Sequence, residues 1–162
     1  MIRDLTPADL DRLVELNSAA VPAVSETDAA GMRRLLALSA LALAIVDDAD
    51  TVLAFAILMT PGADYASENY RFFQARGTDF LYVDRIVVAE SARDRGLGAE
   101  LYRAVFDAAR RQGRAEVTCE VNLDPPNPGS LRFHRRLGFT EVGRQATKGG
   151  SVTVALLAAS LS

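Results

Sequence analysis

The stretch RIVVAESARDRGLGAELYRAVFDAARRQG, residues 85–113, decides the reading of the whole chain. Ile86, Val87 and Val88 predict a strand. Leu101, Val105, Ala108 and Ala109 predict a helix over Ala99–Arg111 with these residues facing inward. Between the two lie Arg93, Arg95, Gly96 and Gly98. The first N–H groups of a helix have no intrahelical partner and point at one spot, where the helix dipole adds partial positive charge. Glycine lets a bulky anion approach the backbone. A strand, a glycine turn and a helix start in this order suit an anion, although such a turn taken alone serves structure as often as binding.

Two nucleotide readings fail. No Gly-Lys-Ser or Gly-Lys-Thr follows, so there is no P-loop. A dinucleotide fingerprint needs a third glycine where Leu101 stands, and would normally open the first βα unit of a larger sheet.

Composition narrows the remaining choices. The 162 residues suit one domain, 1–162, with a sizeable core. Hydrophobic content of 49% and charged content of 24% argue for a globular fold without long disorder. A net charge of −3 argues against a dedicated nucleic-acid binder. Cys119 and His134 are each single in the chain, so neither a disulfide framework nor a structural metal site is expected. The N-terminus MIRDLTPADL lacks the apolar run of a signal peptide. The longest nearly apolar run, residues 35–46, is too short to span a bilayer, and a cytoplasmic protein is expected. Lys148 is the sole lysine among 18 basic residues, a bias read as that of a GC-rich bacterial genome rather than of a phosphate-binding surface.

Along the chain, Ile2–Leu5 predicts a strand. Thr6 caps a helix with Pro7 at its first position, and Leu10, Leu13, Val14 and Leu16 form its apolar stripe. A second helix follows in ETDAAGMRRLLALSA, and two apolar runs around Asp47–Asp50 predict an antiparallel hairpin. Residues 61–79 read as a long connection carrying Tyr70, Phe72 and Phe73. After the strand–turn–helix come a strand in AEVTCEVNL, the turn DPPNPG, a short helix Ser130–Leu137 closed by Gly138, and two last strands around KGG. The order β-α-α-β-β-β-α-β-α-β-β describes a mixed sheet with helices on its faces.

VVAESARDRGLGAELYRAVFDAAR resembles the acetyl-CoA-binding motif of the GCN5-related N-acetyltransferases (GNAT), with Arg93, Gly96 and Gly98 in its signature positions. NPGSLRFHRRLGF resembles the family's second motif and supplies Asn127, Ser130, Gly138 and Phe139, with His134 where the family usually has tyrosine. The segment NLDPPN is about two residues longer than the family pattern. The resemblance implies the α/β (α+β) GNAT fold: a mixed, mostly antiparallel sheet of about seven strands, splayed between strands 4 and 5 and flanked by about four helices.

It also implies roles. The backbone of Ile86, Val87 and Val88 would pair with the pantetheine arm of acetyl-CoA. The pyrophosphate would rest on Arg93, Asp94, Arg95, Gly96, Leu97, Gly98 and Ala99. Asn127, Ser130, Phe133 and His134 would line the carrier, the row Asn127, Ser130, Leu131 and His134 sharing one helix face. Acyl transfer to an amine needs oxyanion donors, a proton acceptor for the amine and a proton donor for the thiolate. A backbone N–H near Val88 would serve the first, and His134 the last. His134 could equally be held by a backbone carbonyl. Glu120 resembles the base of ribosomal-protein N-terminal acetyltransferases, and Asp84 a carboxylate that faces the acceptor in polyamine acetyltransferases. A salt bridge with a neighbouring arginine is the alternative for Asp84. Tyr82, Asp84, Tyr70, Phe73 and Asn122 would contact the acceptor, with loop aromatics as a satellite core the competing reading. Cys119 reads as buried and inert.

The expected activity is transfer from acetyl-CoA to a primary amine, on a small molecule or a peptide N-terminus, by direct attack in a ternary complex without a metal. The rival is a non-catalytic acyl-CoA-binding or sensor module. No nucleic-acid or membrane partner is expected. The apolar C-terminal strand suits either a homodimer seam or a central core position.

Overall fold

The computed structural model describes residues 1–161. Seven strands form one mixed sheet in the order β1-β2-β3-β4-β5-β7-β6. They are β1 (Ile2–Asp4), β2 (Leu41–Val46), β3 (Val52–Met59), β4 (Phe80–Val88), β5 (Glu116–Asp124), β6 (Thr140–Thr147) and β7 (Val152–Ser160). Among the described residues, five α-helices accompany them, one more than expected: α1 (Leu10–Ala20), α2 (Ala29–Leu38), α3 (Glu68–Arg76), α4 (Leu97–Arg111) and α5 (Pro128–Arg136). Among the described residues, no helix is long and apolar enough to cross a membrane.

The chain divides into two compact units, Met1–Met59 with Val83–Asp107, and Thr60–Tyr82 with Ala108–Ser162. In the first, β2 and β3 form the expected antiparallel hairpin. Its turn is fixed by the Asp47 carboxylate, which accepts from the N–H groups of Ala49 and Thr51 at 2.9 Å each. Every residue from Ala54 to Met59 is fully buried, as expected of a strand covered on both faces. Arg3 donates to Asp9 and to Asp50, linking β1 to the start of α1 and to the hairpin turn. The Arg3 guanidinium, with the Thr6 N–H, holds the Asp9 carboxyl below its ordinary value.

In the second unit, β5 is the organiser. It pairs in parallel with β4 through Phe80↔Glu116, Leu81↔Val117 and Tyr82↔Thr118, and antiparallel with β7 from Glu116↔Ser160 to Asp124↔Thr153. Strand β7 then pairs with β6, which bulges between Glu141 and Gly143.

The added helix, α3, lies within the segment expected to be a connection. Ser67 caps it by accepting from the Tyr70 N–H, and Gly77, at φ +79°, ends it in the left-handed conformation. Its burial is aromatic. Tyr70 and Phe73 are 1% and 0% exposed and pack against Phe80 and Tyr82 with ring centroids 5.6–6.3 Å apart. Tilted and edge-on pairs of this kind contribute about 0.5–1.5 kcal/mol each beyond the area they bury. Tyr70 and Phe73, expected either to contact the acceptor or to form a satellite core, are enclosed rings that dock α3. The Tyr70 hydroxyl completes the docking by donating to the Thr60 carbonyl at 2.6 Å.

Candidate active site

In the first unit, β4 leads through Ala89 and a 3-10 turn (Glu90–Ala92) into α4. Arg93, Asp94, Arg95 and Gly96 are exposed, while Leu97 is buried and anchors the helix. Asp94 and Gly96 adopt positive φ, 63° and 72°. The Arg93 N–H donates to the Glu90 carbonyl at 3.3 Å. Glu100 N–H to Gly96 O, at 3.0 Å, is the first bond of α4, so the amides of Leu97, Gly98 and Ala99 precede it without intrahelical partners. A Cβ at Gly96 would meet nothing within 4 Å. What excludes a side chain there is the backbone angle, not crowding. In β4, Val87 is buried and Ile86 and Val88 are half-buried.

Asp84, one of the two candidate bases, carries a side chain only 3% exposed, and its Oδ2 accepts from Arg85 Nε at 2.8 Å. Arg85 Nη1 also donates to Asn17 Oδ1 and to the Ser25 carbonyl. Asn17 is fully buried and donates to the same carbonyl. The salt-bridge reading of Asp84 describes this arrangement. Its charge is balanced in place, within a network that ties the α1–α2 connection to β4.

In the second unit, Glu120 of β5 is half-buried and held by named donors. The Tyr82 hydroxyl lies 2.8 and 2.9 Å from its two oxygens. Asn69 Nδ2 donates to Oε1 at 3.1 Å, and Gln145 Nε2 donates to Asn69 Oδ1 at 2.8 Å. Tyr82 is fully buried, with its hydroxyl on Glu120. Asn122, two residues along β5, is half-buried. Sequence reasoning missed Asn69 and Gln145. The caps Ser67 and Gly77 could have revealed α3 and hence an asparagine in its first turn; nothing local marks Gln145.

His134, on α5, is 5% exposed, with Phe133 and Phe139 edge-on at 5.4 and 5.3 Å. Its Nδ1 lies 2.7 Å from the Ser130 carbonyl and 3.3 Å from the Ser130 hydroxyl. A carbonyl only accepts, so Nδ1 carries the proton and Nε2 the lone pair. Burial holds the imidazole below its ordinary value, against a smaller opposing effect of the Ser130 carbonyl. The resting ring is neutral, and donating a proton from Nε2 requires a second proton that burial opposes. Asn127 opens α5 without a side-chain cap bond, and Gly138, at φ +97°, closes it as expected. Cys119 is buried. Among the described residues, no three His, Cys, Asp or Glu side chains cluster as metal ligands would.

Comparison with known proteins bears on this geometry. The acetyltransferase (GNAT) family pattern matches residues 11–139. The acetyltransferase Atu2258 of Agrobacterium fabrum is 35% identical over 69 residues, which span 43% of this chain and 46% of that protein, less than half its length. The ribosomal-protein-S18-alanine N-acetyltransferase of Escherichia coli superposes with a TM-score of 0.76 at 18% identity, over 100% of this chain and 94% of that one. The yncA protein of Salmonella typhimurium, solved with its cofactor acetyl-CoA, superposes with a TM-score of 0.71 at 20% identity, over 100% of this chain and 94% of that one. At these identities the structural likeness establishes a shared fold.

Two outcomes follow from the buried polar groups. Arg85→Met leaves Asp84 buried without its guanidinium and Asn17 without its donor, and should destabilise the protein by about 3–5 kcal/mol in urea unfolding. Asp84→Asn combined with Arg85→Met should lose less than Arg85→Met alone. For His134, the folded protein resists a proton that the unfolded chain accepts near its ordinary value of 6.5. The stability from burying the neutral ring is complete above about pH 6.5 and is lost as pH falls below it. Unfolding free energy measured at pH 7.5 and 5.5 should therefore drop more steeply in the wild type than in His134→Tyr.

Proposed function

We propose that this chain, which belongs to the acetyltransferase (GNAT) family, transfers an acetyl group from acetyl-CoA to a primary amine by direct attack, with Glu120 as the base. The observation that carries the reading is the Glu120 carboxylate, half-buried and fixed by the Tyr82 hydroxyl and the Asn69 amide. Two donors meet at Oε1 and hold the carboxylate in place. An ionised, immobilised carboxylate both attracts an ammonium and accepts its proton. Asp84 is bonded to Arg85, within the network that ties β4 to the α1–α2 connection.

The donor set at the start of α4 fits a phosphate-bearing carrier: amides from Leu97 to Ala99 that lack intrahelical partners, and an open left-handed glycine. Arg93 to Ala99 would hold the pyrophosphate, the backbone of Ile86 to Val88 the pantetheine arm, and Asn127, Ser130 and Phe133 the remainder. Bound acetyl-CoA supplies an activated acetyl thioester. His134 contributes little as an acid, because burial disfavours its donor form. A thiol ordinarily ionises near pH ~8.5, so the thiolate leaves without obligatory protonation.

Release of free thiol with a panel of amines, amino acids and peptides tests the activity. Glu120→Gln should lower turnover about 100-fold with acetyl-CoA affinity retained, whereas His134→Ala should lower it less than about 10-fold. Saturating acetyl-CoA should raise the melting temperature, since a ligand at 100 times its dissociation constant adds about 2.7 kcal/mol. Gly96→Val should abolish that shift while the apo fold persists. Acetyl-CoA binding without transfer to any amine would point to the acyl-CoA-binding module instead.

A further inference from the structure

The Glu120 carboxylate is served by a side chain that has no local reason to reach it. Asn69 lies in the first turn of α3, 51 residues before Glu120, and its own carbonyl is occupied by Gln145 of β6, 76 residues beyond it. We infer that Asn69 and Gln145 are positioning residues for this base, and that the packing of Phe72 on Gly143 sets their reach. The inference rests on the reading of Glu120 as the base.

An asparagine amide is ambiguous by itself, since a half-turn of its end exchanges donor for acceptor. The Glu120 carboxylate removes that ambiguity. Its oxygen accepts, so Asn69 presents Nδ2 to it, and Oδ1 is left to accept from the Gln145 amide. The relay is thus directional: Gln145 donates to Asn69, and Asn69 donates to Oε1 of Glu120. With Tyr82 donating from β4, the carboxylate is oriented from two separate elements.

The height of α3 over β6 has a steric stop. A Cβ at Gly143 would lie 2.7 Å from Phe72 Cζ and 3.1 Å from Phe72 Cε2. The first distance is shorter than side-chain carbons tolerate, so the ring rests on bare backbone. Gly143 sits at the β6 bulge, two residues before Gln145. One short segment of β6 therefore supplies both the surface under Phe72 and the amide that donates to Asn69.

The test uses the full-length protein and one amine throughout, with circular dichroism to confirm folding. Asn69→Ala should lower kcat about 10-fold while KM for acetyl-CoA stays within about twofold, and Gln145→Ala should lower kcat about threefold. The double variant should be no slower than Asn69→Ala alone, and in the Glu120→Gln background Asn69→Ala should have no further effect. A crystal structure of Asn69→Ala should show the Glu120 carboxylate displaced. Gly143→Ala should lower kcat by a similar route, and Phe72→Leu in that background, which makes room for the added methyl, should recover part of the rate. An unchanged kcat in Asn69→Ala, an equal loss with and without Glu120, or a Glu120 carboxylate left in place would each overturn the inference. Glu120→Gln turning over at the wild-type rate would overturn the base assignment itself. The crystal structure would then decide alone whether Asn69 holds the carboxylate.

Discussion

A carboxylate drawn partly out of water must be given donors, and much of the second unit is arranged around that need at Glu120. The parallel register sets Tyr82 opposite Thr118, two residues from Glu120 on the same strand. Side chains two apart on a strand share a face, so this register brings the phenol within reach of the carboxylate. The second donor comes from α3, which must be held against the sheet by something other than the carboxylate itself. Tyr70 and Phe73 do this by burying their rings against Phe80 and Tyr82. The hydrophobic docking of α3 and the hydrogen bonding of Glu120 therefore share a residue, Tyr82. Its ring belongs to the core and its hydroxyl to the site.

The first unit solves a related problem differently. Asp84 and Arg85 are neighbours in β4, both with side chains less than a tenth exposed, and each neutralises the other. Burying such a pair gains little net stability, because desolvation offsets much of the attraction. Its value lies in geometry. The Arg85 guanidinium spans Asp84, Asn17 and the Ser25 carbonyl, and so fixes a connection that has no regular structure of its own. Charge that would be reactive if unpartnered is spent here on architecture.

These two uses of acidic residues explain what was legible in the sequence. Features that depend on one local stretch could be read directly. The hairpin showed in two apolar runs around an acidic turn. The end of α5 showed in Gly138, and the turn before α4 in its glycines, because only certain residues tolerate those backbone angles. Helix α3 was missed because its hydrophobic face is a compact aromatic patch rather than a long stripe, although Ser67 and Gly77 marked both ends. Asp84 and Glu120 are alike in local pattern, each an acid in an apolar strand, and only the family resemblance distinguishes them in sequence. Their partners separate them, and one partner is adjacent while the others are 38 and 51 residues away.

The same contrast separates carrier recognition from acceptor chemistry. An anion held by backbone amides asks the sequence only for residues that permit a shape, and such permission is written in short motifs of glycine and arginine. A base oriented by side chains asks for particular functional groups brought together by sheet register and helix docking. Gln145 illustrates the limit. On β6 it is one polar residue among several, with a half-buried side chain and no pattern around it. It acquires a role only because the bulge at Gly143 admits Phe72, which lets α3 descend until the Asn69 amide lies between Gln145 and Glu120. A glycine that in most strands would weaken pairing here sets the distance at which a carboxylate can be held.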